Sequence, residues 1–128
     1  MEIQVAVAKI NRYGSLESGD TLEIVERPSG GVSVVLADGR ASGKSAKAIS
    51  SLVVRKVISL LAEGIRDGAA VRAASDLLYT EREGHATAYL NVLSADLETK
   101  TLVIARNNPT PIFIAQRERI ECLSGESV

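Results

Sequence analysis

The sequence predicts an α+β fold in which antiparallel strands are layered against one helical hairpin. Three observations carry that prediction. Short, β-branched runs occupy both ends, roughly residues 1–37 and 86–123. Between them, from about Lys44 to Tyr79, the apolar period changes to helical spacing. The strands also come in runs joined by turn signals, the order expected of an α+β domain rather than of an alternating parallel sheet.

Each element follows from its own pattern. Met1 to Ile10 alternates, with Ile3, Val5 and Val7 on one face and Glu2, Gln4 and Ala6 on the other, and reads as a half-buried strand. Asn11 to Gly19 is polar and turn-rich. Thr21 to Glu26 is a short strand ended by the Pro28-Ser29-Gly30-Gly31 turn. Val32 to Ala37 is almost wholly apolar and β-branched, so it reads as a central buried strand.

Helical spacing then brings Ile49, Leu52, Val53, Val57, Leu60 and Leu61 to one face, ending near Gly64. Asp67-Gly68 breaks the chain. Ala69 to Tyr79 forms a shorter helix with Val71, Ala74, Leu77 and Leu78 inward, and the two helices pack as an antiparallel hairpin. Ala86 to Leu93 returns to strand character, Ala95 to Thr99 is a polar connection, and Thr101 to Ala105 and Pro111 to Ala115 are further strands. Asn107 to Pro109 is a turn, and Arg119 to Leu123 is a candidate last strand.

The 128 residues suffice for a single domain, 1–128, of ordinary globular composition: 45% hydrophobic, 24% charged. Aromatics make up 3%, so the core must be aliphatic. A net charge of -1 gives no electrostatic case for nucleic acid or an anionic membrane, and stacking platforms for single strands are missing. One cysteine, Cys122, excludes an internal disulfide and a cysteine-cluster metal site, and it reads as a structural thiol. No apolar run approaches the roughly 18 residues that span a bilayer, and the start lacks a signal-peptide pattern. A cytoplasmic protein is expected.

The stretch Val34 to Ser50, VVLADGRASGKSAKAIS, is a strand, a glycine-bearing loop with Gly43-Lys44-Ser45, and a helix. A phosphate-binding P-loop has that layout but needs four residues between its glycines. Here Gly39 and Gly43 enclose only Arg40, Ala41 and Ser42, and Asp38 stands where the first glycine belongs. A carboxylate at that mouth would repel phosphate from the loop's N–H groups. A nucleotide-binding P-loop is therefore the weakest reading.

Asp38 instead sits at the end of a buried strand, before a glycine. Such a carboxylate suits a hard divalent cation, which takes oxygen ligands. Asp20, in Ser18-Gly19-Asp20, precedes the Thr21 strand, and the acids meet at one sheet edge if those strands are neighbours. Leu36-Ala37-Asp38-Gly39-Arg40-Ala41-Ser42-Gly43 followed by a helix resembles the second-aspartate motif of the PPM-type (type 2C) serine/threonine phosphatases. The bacterial branch of SpoIIE, RsbU and RsbX is the most similar, and the single-domain RsbX type fits the length best. Ser18-Gly19-Asp20 resembles that family's first metal-binding Gly-Asp. Gly84-His85-Ala86-Thr87-Ala88 resembles its Gly-x-x-Thr strand opening, and Ala95 to Lys100 its hairpin. Asn107-Asn108-Pro109-Thr110-Pro111 stands where the branch often carries Gly-His-Pro-Pro-Pro.

The resemblance implies a sandwich of two antiparallel sheets flanked by helices, with two Mn²⁺ or Mg²⁺ ions at one edge. Asp38 would bridge the ions, the Gly39 carbonyl would ligate one, and Asp20 would join the cluster. Arg40, Lys44 and His85 are candidate phosphate or substrate contacts. The implied function is a metal-dependent protein serine/threonine phosphatase acting on a phosphorylated STAS-domain or anti-sigma antagonist protein. Two departures stand out. Ala41 replaces a loop glycine, and no Asp occurs from position 97 to 128, where the family supplies further metal ligands. The domain is therefore expected to lack its last strands and those aspartates, which opens a second reading as a non-catalytic binding module.

Plainer readings stand beside these. Asp38-Gly39 is otherwise a turn and Asp20 a turn cap. His85 is otherwise a surface polar residue, Arg40 and Lys44 are solvated charges, and Ser42 or Ser45 caps the helix.

Overall fold

The computed structural model describes residues 2–10, 18–40 and 45–123. Its elements are β1 (Asp20–Glu26), β2 (Val32–Arg40), α1 (Ser45–Ala62), α2 (Asp67–Glu81), β3 (Thr87–Asp96), β4 (Thr101–Arg106), β5 (Ile112–Gln116) and β6 (Arg119–Leu123). The α+β class, the antiparallel pairing and the helical hairpin are as expected from sequence. Four strands form one sheet in the order β1-β2-β3-β4, and β5 and β6 form a second.

The β1–β2 hairpin closes at the Pro28 to Gly31 turn, where the Gly30 amide bonds to the Arg27 carbonyl and the Arg27 amide to the Gly31 carbonyl. Gly30 and Gly31 have φ of 97° and 101°, a region that side chains rarely enter. The hairpin register is long and unbroken, from Asp20 opposite Asp38 to Glu26 opposite Val32.

One face of the large sheet is covered by the helices. Strand alternation sends Val35, Ala37, Leu90 and Val92 to that side, where they are completely buried. Ile49, Val53, Val57 and Leu61 of α1, at spacings of four, meet them, with Ala70, Ala74 and Leu78 of α2 behind. Each buried Val, Leu or Ile contributes about 1.5–3 kcal/mol. Leu52 and Leu60 lie at the margin of this core rather than inside it.

A charged network ties the far end of the hairpin to the sheet. Arg27 donates through one nitrogen to Asp67 Oδ1 (2.7 Å) and Ser33 Oγ (3.0 Å), and through the other to the Ile65 carbonyl (3.0 Å). Ser94 Oγ donates to Asp67 Oδ2 and lies 2.6 Å from Ser33 Oγ. These polar groups are buried yet paired, which is what makes their burial tolerable. The Arg27 Nε has no partner among the described residues.

The opposite face carries Leu22, Ile24, Val34, Leu36, Leu93 and Leu102, and no described helix or strand covers it. Leu102 is 60% exposed and Ile24 48%. The β5–β6 sheet makes no packing contact with the other described elements.

Three expectations are corrected. Residues 2–10 are not a strand, because their alternation finds no ladder partner among the described residues, and Val5 and Val7 are exposed. Strand β2 does not end at Ala37 but runs through Asp38 and Gly39 to Arg40, since β3 continues beside it as far as Thr87. Cys122 is exposed on β6 rather than structural. The P-loop reading meets an antiparallel sheet where it needs a parallel one. Lys44 with the rest of loop 41–44, and the tail 124–128, lie outside the described residues.

Candidate metal centre

Register brings the two predicted acids together. Asp20 opens β1, and Asp38 lies opposite it in β2. The Gly39 amide donates to the Gly19 carbonyl at 3.2 Å, which makes Gly19 and Gly39 a hydrogen-bonded pair. Pairs alternate along an antiparallel ladder, so Asp20 and Asp38 form the non-hydrogen-bonded kind. Its Cα atoms approach to about 4.5 Å with side chains on one face. The two carboxyls are near enough for Asp20 to act on the ionisation of Asp38. Because N–H and C=O of a strand residue point the same way, the Gly39 carbonyl also faces the β1 side.

Charge around the pair is mixed. Burial raises the pKa of Asp38 above its ordinary 3.8. The Arg40 guanidinium, 3.1 Å away, works against that, and Asp20 adds to the rise by its charge and its hydrogen bond. Arg40 also stacks over the Tyr89 ring at 4.1 Å, and Tyr89 is the β3 neighbour of Asp38. The main chain of Asp20 is fixed at both ends. Its amide donates to Ser18 Oγ (3.1 Å), and its carbonyl accepts from Lys9 Nζ (2.8 Å) and Lys47 Nζ (2.6 Å).

Helix α1 begins directly over this corner. A Cβ at Gly39 would come within 2.0 Å of the Ala46 carbonyl oxygen, and one at Gly19 within 3.0 Å of the Ala46 Cβ. Glycine at position 39 is therefore demanded by the close approach of helix and strand. Strand alternation then puts the Asp20 and Asp38 side chains on the face of the sheet away from α1.

The remaining candidates separate. Arg40 is in the cluster. His85 is exposed in the turn before β3, its amide bonded to the Arg82 carbonyl (2.8 Å), two positions ahead of Thr87, which is the ladder partner of Arg40. It shares the sheet end with Asp38 without joining the pair. Lys44 is outside the described residues.

Tested against a hard divalent cation, the donor set fits in part. Two adjacent carboxylates and one carbonyl are oxygen ligands whose mutual repulsion a cation would relieve. No group of three or more His, Cys, Asp or Glu side chains converges among the described residues, so these residues can supply part of a coordination shell.

Sequence reasoning missed the residues that finish this end of the sheet. Beyond β4, Asn107 takes up the ladder with its side chain. Its Oδ1 accepts from the Leu90 amide (2.8 Å), and its Nδ2 donates to the Ala88 carbonyl (3.0 Å). Asn108 Nδ2 donates to the Leu90 carbonyl (3.0 Å). The paired asparagines before Pro109 were the available signal, since an Asn side chain can imitate a peptide group.

No family model and no curated protein matches the sequence. Solved structures do. The PP2C phosphatase domain of the cell fate determinant SpoIIE from Bacillus subtilis, solved with a fragment of its regulatory domain, superposes with a TM-score of 0.76 at 20% identity, over 90% of this chain and 33% of that one. The SpoIIE phosphatase domain in a crystal form without domain swapping gives 0.59 at 20% identity, over 90% of this chain and 49% of that one. The chain thus spans about a third of one relative and half of the other. No described helix is long and apolar enough to cross a membrane. At this level of identity the likeness concerns architecture: the chain folds like part of a PP2C phosphatase domain.

Proposed function

We propose that the chain contributes the first acidic pair of a metal-dependent phosphoprotein phosphatase. One observation carries the reading: in a fold similar to a PP2C phosphatase domain, Asp20 and Asp38 are ladder partners with side chains on one face of the sheet. Asp38, Asp20 and the Gly39 carbonyl would hold Mn²⁺ or Mg²⁺, two ions in the complete site. A bound ion of this class supplies an acidified water and offsets phosphoryl charge. The residues around it set the field. Arg40, anchored on Tyr89 on the same face as the acids, draws an anionic phosphoryl group toward them. His85, at the same end of the sheet, and Lys44 are assigned to substrate contact.

The substrate class is a phosphoserine or phosphothreonine protein in the cytoplasm. A phosphorylated STAS-domain or anti-sigma antagonist protein is the first to test, on the strength of the sequence resemblance alone. The test is phosphate release from such a protein with Mn²⁺ and with Mg²⁺, measured for the wild-type chain and for Asp38→Ala. Release with either ion that is abolished by Asp38→Ala supports the proposal. No release with either ion from any phosphoserine substrate sinks catalysis by this chain.

A second reading is favoured by the absence of a third carboxylate from the described cluster. In it the chain is a binding module that keeps the fold without turnover. Calorimetry with Mn²⁺ separates the two, since a module of that kind takes up no ion.

A further inference from the structure

We propose that the groove between α2 and the outer edge of β4 takes an extended peptide bearing acidic side chains, added to the sheet as a fifth strand. The proposal does not depend on the Asp20–Asp38 pair.

Among the described residues, strand β4 is the last of its sheet and pairs only with β3. Outside that ladder, no backbone-to-backbone hydrogen bond reaches residues 101–106 among the described residues. Its outer edge therefore offers alternating N–H and C=O groups, the template for strand addition.

The groove beside that edge holds about 540 Å³. One wall is Gly68, Val71, Arg72 and Ser75 of α2, which stand at i, i+3, i+4 and i+7 and so form one helical stripe. The other wall is four consecutive residues, Ile104 to Asn107. Side chains alternate across a strand, so consecutive residues line one groove only when the strand is met edge-on. A helix running beside an open strand edge is a seat for an extended chain. The stripe is about 10 Å long at 1.5 Å per residue, room for roughly three strand residues at about 3.3 Å each.

Charge selects the occupant. Arg72 and Arg106 line the groove and no carboxylate does. Arg72 is exposed and forms no ion pair with a described residue. Arg106, whose side chain stands with Asn91 on the face of the sheet away from α2, gives one nitrogen to the Thr110 carbonyl (2.6 Å) and keeps its other guanidinium donors for a ligand side chain on that face. Val71 and Ala105 supply apolar surface on the helix side and Ile104 on the other, for the alternate side chains.

The experiment is a titration of the isotope-labelled chain with a capped hexapeptide of alternating valine and glutamate, followed by amide chemical shifts. Saturable shifts confined to residues 68–75 and 101–107 are expected. Methylating alternate backbone nitrogens of the peptide should weaken binding at least tenfold, and so should Arg72→Glu, whose fold is checked by circular dichroism. Replacing glutamate by lysine in the peptide should do the same. Equal binding by the methylated peptide, shifts centred elsewhere, or no binding at millimolar peptide would overturn the proposal.

Discussion

Asp20 and Asp38 face each other across the β1–β2 ladder as a non-hydrogen-bonded pair, with both carboxyl groups on one face of the sheet. In the absence of a cation such a pair is a liability, and with one it becomes a ligand set. Asp38→Asn should therefore leave the ion-free chain unchanged or more stable by a few tenths of a kcal/mol, a small figure because the side chain is 41% exposed. In excess Mn²⁺ the ranking should reverse. At an ion concentration about 100 times its Kd, the wild type gains about 2.7 kcal/mol that the variant lacks. Thermal melts of both chains with and without Mn²⁺ check this, and an equal gain in the variant would remove Asp38 from the site.

The raised pKa of Asp38 gives a pH signature with a definite sign. Between the ordinary 3.8 and the higher folded value, the folded chain holds a proton that the unfolded chain has released. Stability therefore falls as pH rises through that window. Above it the group carries its full cost, and below 3.8 the cost is absent. Urea denaturation of wild type and Asp38→Asn without metal should show a gap at pH 7 that closes as pH falls to 3.8. A gap that widens on acidification would contradict the assigned cause. Protons and cations compete for the pair, so Mn²⁺ affinity should weaken through the same window.

Gly39→Ala tests the helix–strand approach. Its Cβ would fall 2.0 Å from a backbone oxygen, which no side-chain rotation can relieve, so α1 must shift. A loss of about 3 kcal/mol is expected in urea denaturation. Gly68→Ala, where a Cβ meets nothing within 4 Å, serves as the matched control and should cost little or stabilise α2.

Asp67→Ala should be among the most damaging single changes. The carboxyl pairs with Arg27, both side chains are largely buried at 10% and 15% exposure, and removal strands the guanidinium. A cost of about 3–5 kcal/mol follows from an uncompensated buried charge. Arg27→Ala combined with Asp67→Ala should cost less than the sum of the single changes, as a double-mutant cycle by chemical denaturation will show.

Asn107→Ala should act locally. Losing two hydrogen bonds to the main chain of β3 costs about 1–2 kcal/mol and exposes the Leu90 amide. Hydrogen exchange should quicken at Leu90 while the amides of Val35 and Val92, deep in the sheet, keep their protection.

Much of this was legible in the residues because local patterns and tertiary packing agree. Val32 to Ala37 is almost wholly apolar and lies inside the sheet, and the stripe through Ile49, Val53 and Val57 meets it. The turn at Pro28 to Gly31 fixed the hairpin and, with it, the meeting of Asp20 and Asp38. Where the reading failed, the deciding partner was distant. The alternation of Ile3, Val5 and Val7 describes a strand, but a strand exists only where another pairs with it. Asp67 read as part of a break, yet it opens α2 and binds an arginine 40 positions earlier, a contact with no local signal. Asn107 and Asn108 read as a turn, and only the structure shows their amides standing in for a strand.

The crowding of Ala46 against position 39 bears on how related sequences are compared. A descendant that had abandoned ion binding, and had exchanged both acids for neutral residues, would still be held to glycine there by the helix overhead. Survival of that glycine across a lineage testifies to architecture. Only the fate of the acids at positions 20 and 38 testifies to chemistry.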